Sequence, residues 1–279
     1  MKASNLLIRT LSSVAIVAVV AACLLTSHLA FLGLMLVILY YALKEFYAIS
    51  IGSLFPVQRI AGILTSVSVL FSAFLCTFRG ADSSILVLPL ILLLITFVSC
   101  IFLKDDARTM LERMPYVFMG ILYVAVPLSA AVRITGNGGE FNGRLLFSLF
   151  IIIWASDVGA YCIGSMLGQR PGSRKLAPSI SPKKSWWGFW GGVVLGTAAS
   201  VILNLVGWLG FSIIHAVALG VIVSVAGVCG DLFESLWKRH FGVKDSGSII
   251  PGHGGMLDRI DSALIAIPAA AAYLTIFNL

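Results

Sequence analysis

Apolar residues in this chain fall in long blocks bounded by charges, Gly or Pro. Nine such blocks lie near 8–27, 29–50, 60–78, 84–103, 114–134, 145–168, 187–208, 211–236 and 260–278. Each approaches the roughly 20 residues that let a helix cross a hydrocarbon core about 30 Å thick. Only a short turn around Ser27 and His28 separates the first two. Two longer polar stretches, 169–186 and 237–259, interrupt the pattern as charged loops. There is no internal repeat, low-complexity tract or soluble domain. The pattern predicts an all-α integral membrane protein, a polytopic bundle of about nine transmembrane helices. Residues 1–144 would hold the first five spans, and 145–279 the last four with both polar loops.

Composition agrees. Hydrophobic residues make up 59% of the 279 and charged residues 11%, against roughly 25% charged in a soluble domain. Lys and Arg placement sets the orientation. With the N-terminus cytoplasmic and nine spans, Arg79, Arg133 and Arg144 are the only members of the 19 Lys and Arg that face outside. Both polar loops then face the cytoplasm and the C-terminus lies outside. The net charge of +7 is accounted for by this bias and by anionic headgroups; it does not point to nucleic acid. Lys2 and Arg9 ahead of "AVVAAC" resemble a lipoprotein signal cut before Cys23, but further spans follow, so the segment reads as an uncleaved first helix. The five cysteines (Cys23, Cys76, Cys100, Cys162 and Cys229) sit singly in apolar runs. They suit packing rather than a disulfide framework or a zinc site.

Charge chemistry concentrates near the C-terminus. Five of the 12 acidic residues, Asp231, Glu234, Asp245, Asp258 and Asp261, fall in 231–262. Asp231, Glu234, Ser235 and Lys238 share one helix face by their spacing. Asp231 lies inside the apparent end of its span, where a carboxylate costs several kcal/mol without a cation, metal or water. An ordinary ion pair with Lys238 is the plain alternative. Asp258 and Asp261 stand three apart at the start of the last span, as helix capping would also place them. A divalent cation between such carboxylates would relieve their repulsion, and Mg²⁺ takes one or two carboxylates with waters and phosphates. In "KDSGSIIPGHGG", Gly252, Gly254 and Gly255 would let backbone N–H groups approach a phosphate, with Lys244 and Arg259 adding positive charge; His253 is more simply a turn residue. The other loop supplies Arg174, Lys175, Lys183 and Lys184, followed by Trp186 and Trp187 as an interfacial belt. Upstream, "WASDVGAYCIGSMLG" puts Asp157 deep in an apolar run, read as buried, with Tyr161, Gly164 and Gly168 on its face; the glycines also suit close helix packing. No GxSxG appears, and no Cys stands beside a His. Carboxylates, cations and a Gly loop on one membrane face suggest metal-assisted phosphoryl or nucleotidyl transfer.

The run "SLWKRHFGVKDSGSIIPGHGGMLDRID", residues 235–261, closely resembles the signature of the phosphatidate cytidylyltransferase (CDP-diacylglycerol synthase) family. Ser235, Lys238, Arg239, Lys244, Asp245, His253, Gly254, Gly255, Asp258, Arg259 and Asp261 all fall at the pattern's spacing. The similarity extends through Gly230 and Asp231, "SDVGAYCIGSMLG" and "KLAPSISPKKSWWG", covering roughly 150–262; the first five spans match only in being hydrophobic. Where the family commonly has Thr-Trp-Glu-Gly, this chain has Ser185, Trp186, Trp187 and Gly188, so a carboxylate at 187 is absent.

The resemblance implies CTP and phosphatidate as substrates, CDP-diacylglycerol and pyrophosphate as products, membrane lipids around the chain, and the inner membrane if the source is bacterial. Asp231, Asp258 and Asp261 would hold Mg²⁺, with a second cation allowed. Lys183, Lys184, Arg239, Lys244 and Arg259 would neutralise phosphates, and Asp245 would bind metal or orient Lys244. Asp157, Ser181, Ser235, Lys238, His253, Gly254 and Gly255 complete the expected substrate site; a homodimer is allowed but not required. A cytidylyltransferase for ether lipids or a CTP-dependent lipid-alcohol kinase shares this chemistry. A transporter would explain an intramembrane Asp157 but not two cytoplasmic polar loops.

Overall fold

The computed structural model describes residues 2–53, 55–99, 101, 107–137, 139–249 and 254–279, without the side chains of 2–9, 11, 107, 110 and 137. Cys100, Gly252 and His253, named above, lie outside the described residues. Among those described, seven helices are long and apolar enough to cross a membrane: His28–Ser50, Pro56–Phe78, Leu111–Ile134, Arg144–Met166, Trp186–Leu205, Ile213–His240 and Leu257–Phe277. The other two predicted spans coincide with shorter apolar helices, Ser12–Thr26 and Ser83–Ser99. The chain is an all-α membrane protein with two short hairpins, and it divides into two compact units, 1–142 with 245–259 and 143–244 with 260–279.

In the first unit, α1 (Lys2–Thr26) and α2 (His28–Ser50) are broken at Ser27, whose extended backbone and hydroxyl, accepting from the Leu29 N–H at 3.2 Å, start α2. Pro56 opens α3 (Pro56–Phe78) at a position where its missing N–H is harmless. A 3₁₀ turn (Ser83–Leu86) leads into α4 (Val87–Ser99). α5 (Ala107–Gly120) then passes through a π turn (Ile121–Ala125) into α6 (Val126–Ile134). Tyr47 anchors this core: it is fully buried, and its hydroxyl donates to the Val117 carbonyl at 2.9 Å. Its ring fits because Gly62 and Gly120 lack side chains, an added Cβ at either lying 2.7 Å from the Tyr47 hydroxyl. A hairpin of β1 (Gly136–Asn137) and β2 (Glu140–Phe141) closes the unit, with Phe141, Phe74 and Phe78 around the His28 ring.

In the second unit, α7 (Arg144–Met166), α8 (Trp186–Leu205) and α9 (Ile213–His240) pack through small residues. A Cβ at Gly159 would sit 2.5 Å from the Gly191 carbonyl oxygen, and one at Gly164 would meet Gly188 Cα at 3.3 Å. A Cβ at Gly220 would lie 2.7 Å from Thr197 Cα. Such close approach is the usual basis of helix association in lipid, where burial of apolar surface supplies no drive. Gly164 therefore serves packing, as its spacing allowed. The Asn204 amide accepts from the Phe211 N–H and donates to the Phe211 carbonyl, both at 2.8 Å, and so ties the α8–α9 turn. α9 ends at Gly242, whose φ of +70° suits a residue without Cβ.

The stretch 169–186, expected as a loop, is instead built as an antiparallel hairpin of β3 (Lys175–Ala177) and β4 (Ser181–Ser185). Lys175 donates to the Gly168 carbonyl at 2.8 Å and the Gln169 side chain at 2.9 Å, joining the hairpin to the end of α7. Ser185 ends β4 and caps α8, its hydroxyl accepting from the Gly188 N–H at 3.2 Å. The cap explains Ser at 185, and the close approach of the Ala160 carbonyl oxygen and Gly164 Cα, 2.9 and 3.3 Å from an added Cβ, explains Gly at 188, both without reference to the residues between them.

Candidate active site

In the second unit the site is built on β4, α9 and the part of α10 (Leu257–Phe277) from Ile260 onward. Side chains alternate along a strand, so Lys183 and Lys184 on β4 point oppositely. Lys183 is exposed, whereas Lys184 forms an ion pair with Asp231 Oδ2 on α9. Asp231 Oδ1 accepts from the Ser235 hydroxyl, one turn along α9, at 3.3 Å. The paired side chains of Lys184 and Asp231 keep 26% and 35% of their exposure. A pair this open contributes at most about 1 kcal/mol, so either partner can be exchanged for a substrate phosphate or a cation.

Spacing suggested an ion pair between Asp231 and Lys238, but Asp231 pairs with Lys184. Lys238 bonds Glu234 Oε2 at 2.6 Å, with side-chain exposures of 12% and 0%. Glu234 is the i, i+4 neighbour of Lys238, whereas Asp231 stands seven positions and two turns away. Breaking a buried pair strands a charge at about 3–5 kcal/mol, so Lys238 and Glu234 stay together. One face of α9 thus carries an exchangeable pair beside a fixed one.

α10 meets α9 at Gly230, the residue before Asp231. A Cβ there would strike the Asp261 carbonyl oxygen and lie 3.0 Å from Ser262 Cα. The missing side chain brings the Asp261 backbone against α9, one residue from Asp231. Asp261 Oδ1 accepts from the Ser262 N–H at 2.7 Å. Asp157, expected to be buried, is exposed on α7, because the buried stripe of that helix runs through Ser156, Gly159 and Gly164 instead.

Among the described residues, no group of three or more His, Cys, Asp and Glu side chains stands close enough to cage a metal ion. Asp231 and Asp261 nonetheless fit Mg²⁺. They are hard oxygen donors, Asp231 is held by an exchangeable partner, and Mg²⁺ typically takes only one or two carboxylates with waters and substrate phosphates.

In the first unit, the loop before α10 is folded around two carboxylates. Asp258 Oδ2 accepts from the N–H groups of Ser246 and Gly255, both at 2.9 Å, while the Asp258 N–H donates to the Ser246 hydroxyl at 3.3 Å. This is helix capping completed from twelve residues upstream. Gly254 has φ +83°, and a Cβ there would lie 2.8 Å from Asp258 Oδ2. The second carboxylate comes from Glu45 on α2. Its Oε1 accepts from the Met256 N–H at 2.9 Å, and its Oε2 from the Leu257 N–H at 2.9 Å and the Ser246 hydroxyl at 3.0 Å. Of the glycines read as a phosphate cradle, Gly255 gives its N–H to Asp258, and the next two N–H groups, Met256 and Leu257, go to Glu45; Gly252 lies outside the described residues. Carboxylates at the start of α10 also complement its positive end.

Of the expected residues, Lys184, Asp231, Ser235 and Asp261 come together in the second unit, and Gly254, Gly255 and Asp258 in the first. Lys244, Asp245 and Arg259 are exposed, Ser181 sits in β4 opposite Ala177, and Arg239 donates to the Val243 carbonyl at 3.3 Å beyond the end of α9. Glu45 was missed. Its one signal was a carboxylate within an otherwise apolar helix, and the adjacent Lys44 made it look like an ordinary interfacial charge.

Comparison with known proteins bears on this arrangement. Phosphatidate cytidylyltransferase of Bacillus subtilis is 37% identical over 167 residues, 60% of this chain and 60% of the relative. The protein of that name from Staphylococcus epidermidis (strain ATCC 12228 / FDA PCI 1200) is 38% identical over 163 residues, 58% of this chain and 57% of the relative. The one from Mycobacterium tuberculosis (strain ATCC 25618 / H37Rv) is 43% identical over 160 residues, 56% and 46%. The chain thus spans about half to three fifths of the curated relatives it matches. The sequence profile of the cytidylyltransferase family matches far more, residues 7–277. With the profile covering both units, the chain belongs to the cytidylyltransferase family.

Proposed function

We propose that this chain transfers the cytidylyl group of CTP to phosphatidate, giving CDP-diacylglycerol and pyrophosphate at the cytoplasmic face of a membrane. The observation that carries this reading is the exchangeable Lys184–Asp231 pair beside Asp261. It offers a cation for a triphosphate and carboxylates for a divalent metal at one place. The name that the relatives bear supports the choice of lipid substrate.

A phosphatidate oxygen attacks the α-phosphorus of CTP in line. The new O–P bond forms as the bond from the α-phosphorus to the pyrophosphate oxygen breaks. The nucleophile is already an anion, so no strong general base is required. Lys184 would leave Asp231 for a triphosphate oxygen, and the exposed Lys183, Arg239, Lys244 and Arg259 would neutralise the remaining phosphate charge. Lys238 stays with Glu234 as a fixed, charge-neutral pair beside the site. Asp231 and Asp261 would hold Mg²⁺, which when bound screens the repulsion between the two substrates and the charge on the leaving group. Asp245 would orient Lys244.

The reading includes nine spans with a cytoplasmic N-terminus and the C-terminus outside. Its support is the placement of Lys and Arg and the two shorter apolar helices, Ser12–Thr26 and Ser83–Ser99. The bacterial sources of the relatives favour the inner membrane. The activity is tested with purified protein in mixed micelles containing radiolabelled CTP, phosphatidate and Mg²⁺. The expected result is a chloroform-soluble product that co-migrates with CDP-diacylglycerol. No lipid-soluble label, or label entering only when an ether lipid or a lipid alcohol is supplied, would overturn the assignment. For the topology, a reporter that works only in the cytoplasm is fused after Leu279 and should be silent; an active reporter rules out this orientation.

A further inference from the structure

Glu45 is remote in sequence from every residue of the family signature, yet the signature loop is shaped around it. Its carboxylate takes the Met256 and Leu257 N–H groups and the Ser246 hydroxyl, 211, 212 and 201 positions away. The fit is close on two further sides. An added Cβ at Gly247 would lie 2.5 Å from Glu45 Oε1 and 2.8 Å from its Cδ, and one at Gly255 would strike Glu45 Oε2 and the Ser246 hydroxyl. Two signature-loop glycines thus have a reason in Glu45 and not only in a ligand.

The bonding chain has a direction. Glu45 holds Ser246; Ser246 in turn donates its N–H to Asp258 Oδ2 and accepts the Asp258 N–H. Glu45 also engages the first N–H of α10, at Leu257. Both carboxylate oxygens act only as acceptors toward these donors. A glutamine would turn an N–H₂ group toward the Met256 or the Leu257 N–H and set donor against donor. An aspartate would fall one methylene short.

We infer that Glu45 is a positioning residue for the reaction proposed above, acting through Ser246, the Asp258 cap and the start of α10 to hold Arg259 for turnover without touching either substrate. A residue that merely stabilised the fold would lower yield and melting temperature and leave turnover per folded molecule intact. A positioning residue does the reverse, because displacements of about 1 Å in a catalytic constellation lower rates by up to about a hundredfold.

The test compares Glu45→Gln, Glu45→Asp and Ser246→Ala with the unmodified chain in the micelle assay, alongside thermal unfolding in detergent and amide exchange of the 245–258 segment. Expected is a fall in kcat of about tenfold or more for Glu45→Gln, with KM for CTP changed less than about threefold. Ser246→Ala, which removes one of the three Glu45 bonds together with the acceptor of the Asp258 N–H, should lower kcat in the same direction. Exchange of the Met256 and Leu257 amides should quicken in Glu45→Gln while the helices keep their protection. Wild-type kcat in both Glu45 variants would overturn the inference, as would a loss of turnover matched by an equal loss of folded protein. If Glu45→Gln does not fold, the kcat of Ser246→Ala decides alone. If the unmodified chain makes no CDP-diacylglycerol, the proposed reaction fails instead. The exchange arm then still decides the clamp, since rapid exchange of Met256 and Leu257 in the unmodified chain would refute it.

Discussion

Substituting Gly230 with Ala should damage catalysis far more than stability. The added Cβ would strike the Asp261 carbonyl oxygen and lie 3.0 Å from Ser262 Cα and 3.2 Å from the Asp261 carbonyl carbon. Carbon atoms rest at about 3.5–4.0 Å, so α9 and α10 must part locally by roughly 0.5–1 Å. All three obstacles are backbone atoms, so no rotamer change relieves them. Overpacking of this size costs about 1–3 kcal/mol, and the better helix propensity of Ala returns about 1 kcal/mol. The net loss of stability is then about 0–2 kcal/mol. The displacement, however, falls between Asp231 and Asp261, where about 1 Å is worth up to about a hundredfold in rate. Gly227, one turn earlier on α9, is the internal control. A Cβ there meets Ser262 Cβ at 3.7 Å, an ordinary contact, so Gly227→Ala should be neutral or slightly stabilising. Both variants are to be purified in detergent, melted, and assayed for cytidylyl transfer to phosphatidate with varied Mg²⁺. Gly230→Ala should lose between about tenfold and a hundredfold in kcat/KM while Gly227→Ala keeps its activity. Near-native turnover in Gly230→Ala, or equal losses in the two variants, would refute the argument that the α9–α10 approach sets the distance between the two carboxylates.

Two further pairs of substitutions separate roles that the geometry has begun to divide. Asp258→Asn keeps a carbonyl oxygen for the Ser246 and Gly255 N–H groups, whereas Asp258→Ala orphans both at about 1–3 kcal/mol each where they are buried. The Asn variant should therefore fold and the Ala variant melt lower. If the Asp258 charge also serves a cation, Asp258→Asn should lose at least about a hundredfold in turnover; more than about a tenth of wild-type turnover would leave Asp258 as a loop cap alone. Lys184→Ala should raise the KM for CTP by about tenfold or more, and Lys183→Ala by less than about threefold, since a phosphate contact is worth roughly 1.4 kcal/mol or more. The opposite order in steady-state kinetics would contradict the strand alternation that turns Lys184 toward Asp231.

Much of this protein could be read from its sequence because the physics involved is local. Crossing a bilayer needs a continuous apolar length, so the spans and even the break at Ser27 show in the order of residues. The signature residues could be named because they occupy one short stretch, and Gly164 could be recognised as a packing site because lipid-embedded helices approach through small residues. Which charge meets which was decided only by the tertiary structure. On α9 alone Lys238 had two carboxylates at helical spacing, Asp231 and Glu234. Lys238 took Glu234, its i, i+4 neighbour, and the partner of Asp231, Lys184, arrives on β4 from 47 positions away. The two adjacent lysines looked equivalent until the hairpin turned one inward. The Gly-rich loop looked like a phosphate cradle because backbone N–H groups have no identity in a sequence. Their partners came from Asp258 and from Glu45 on a helix more than 200 residues earlier. Hydrogen-bonding groups are satisfied by whatever the fold delivers to them, and the distance along the chain to that partner carries no local trace.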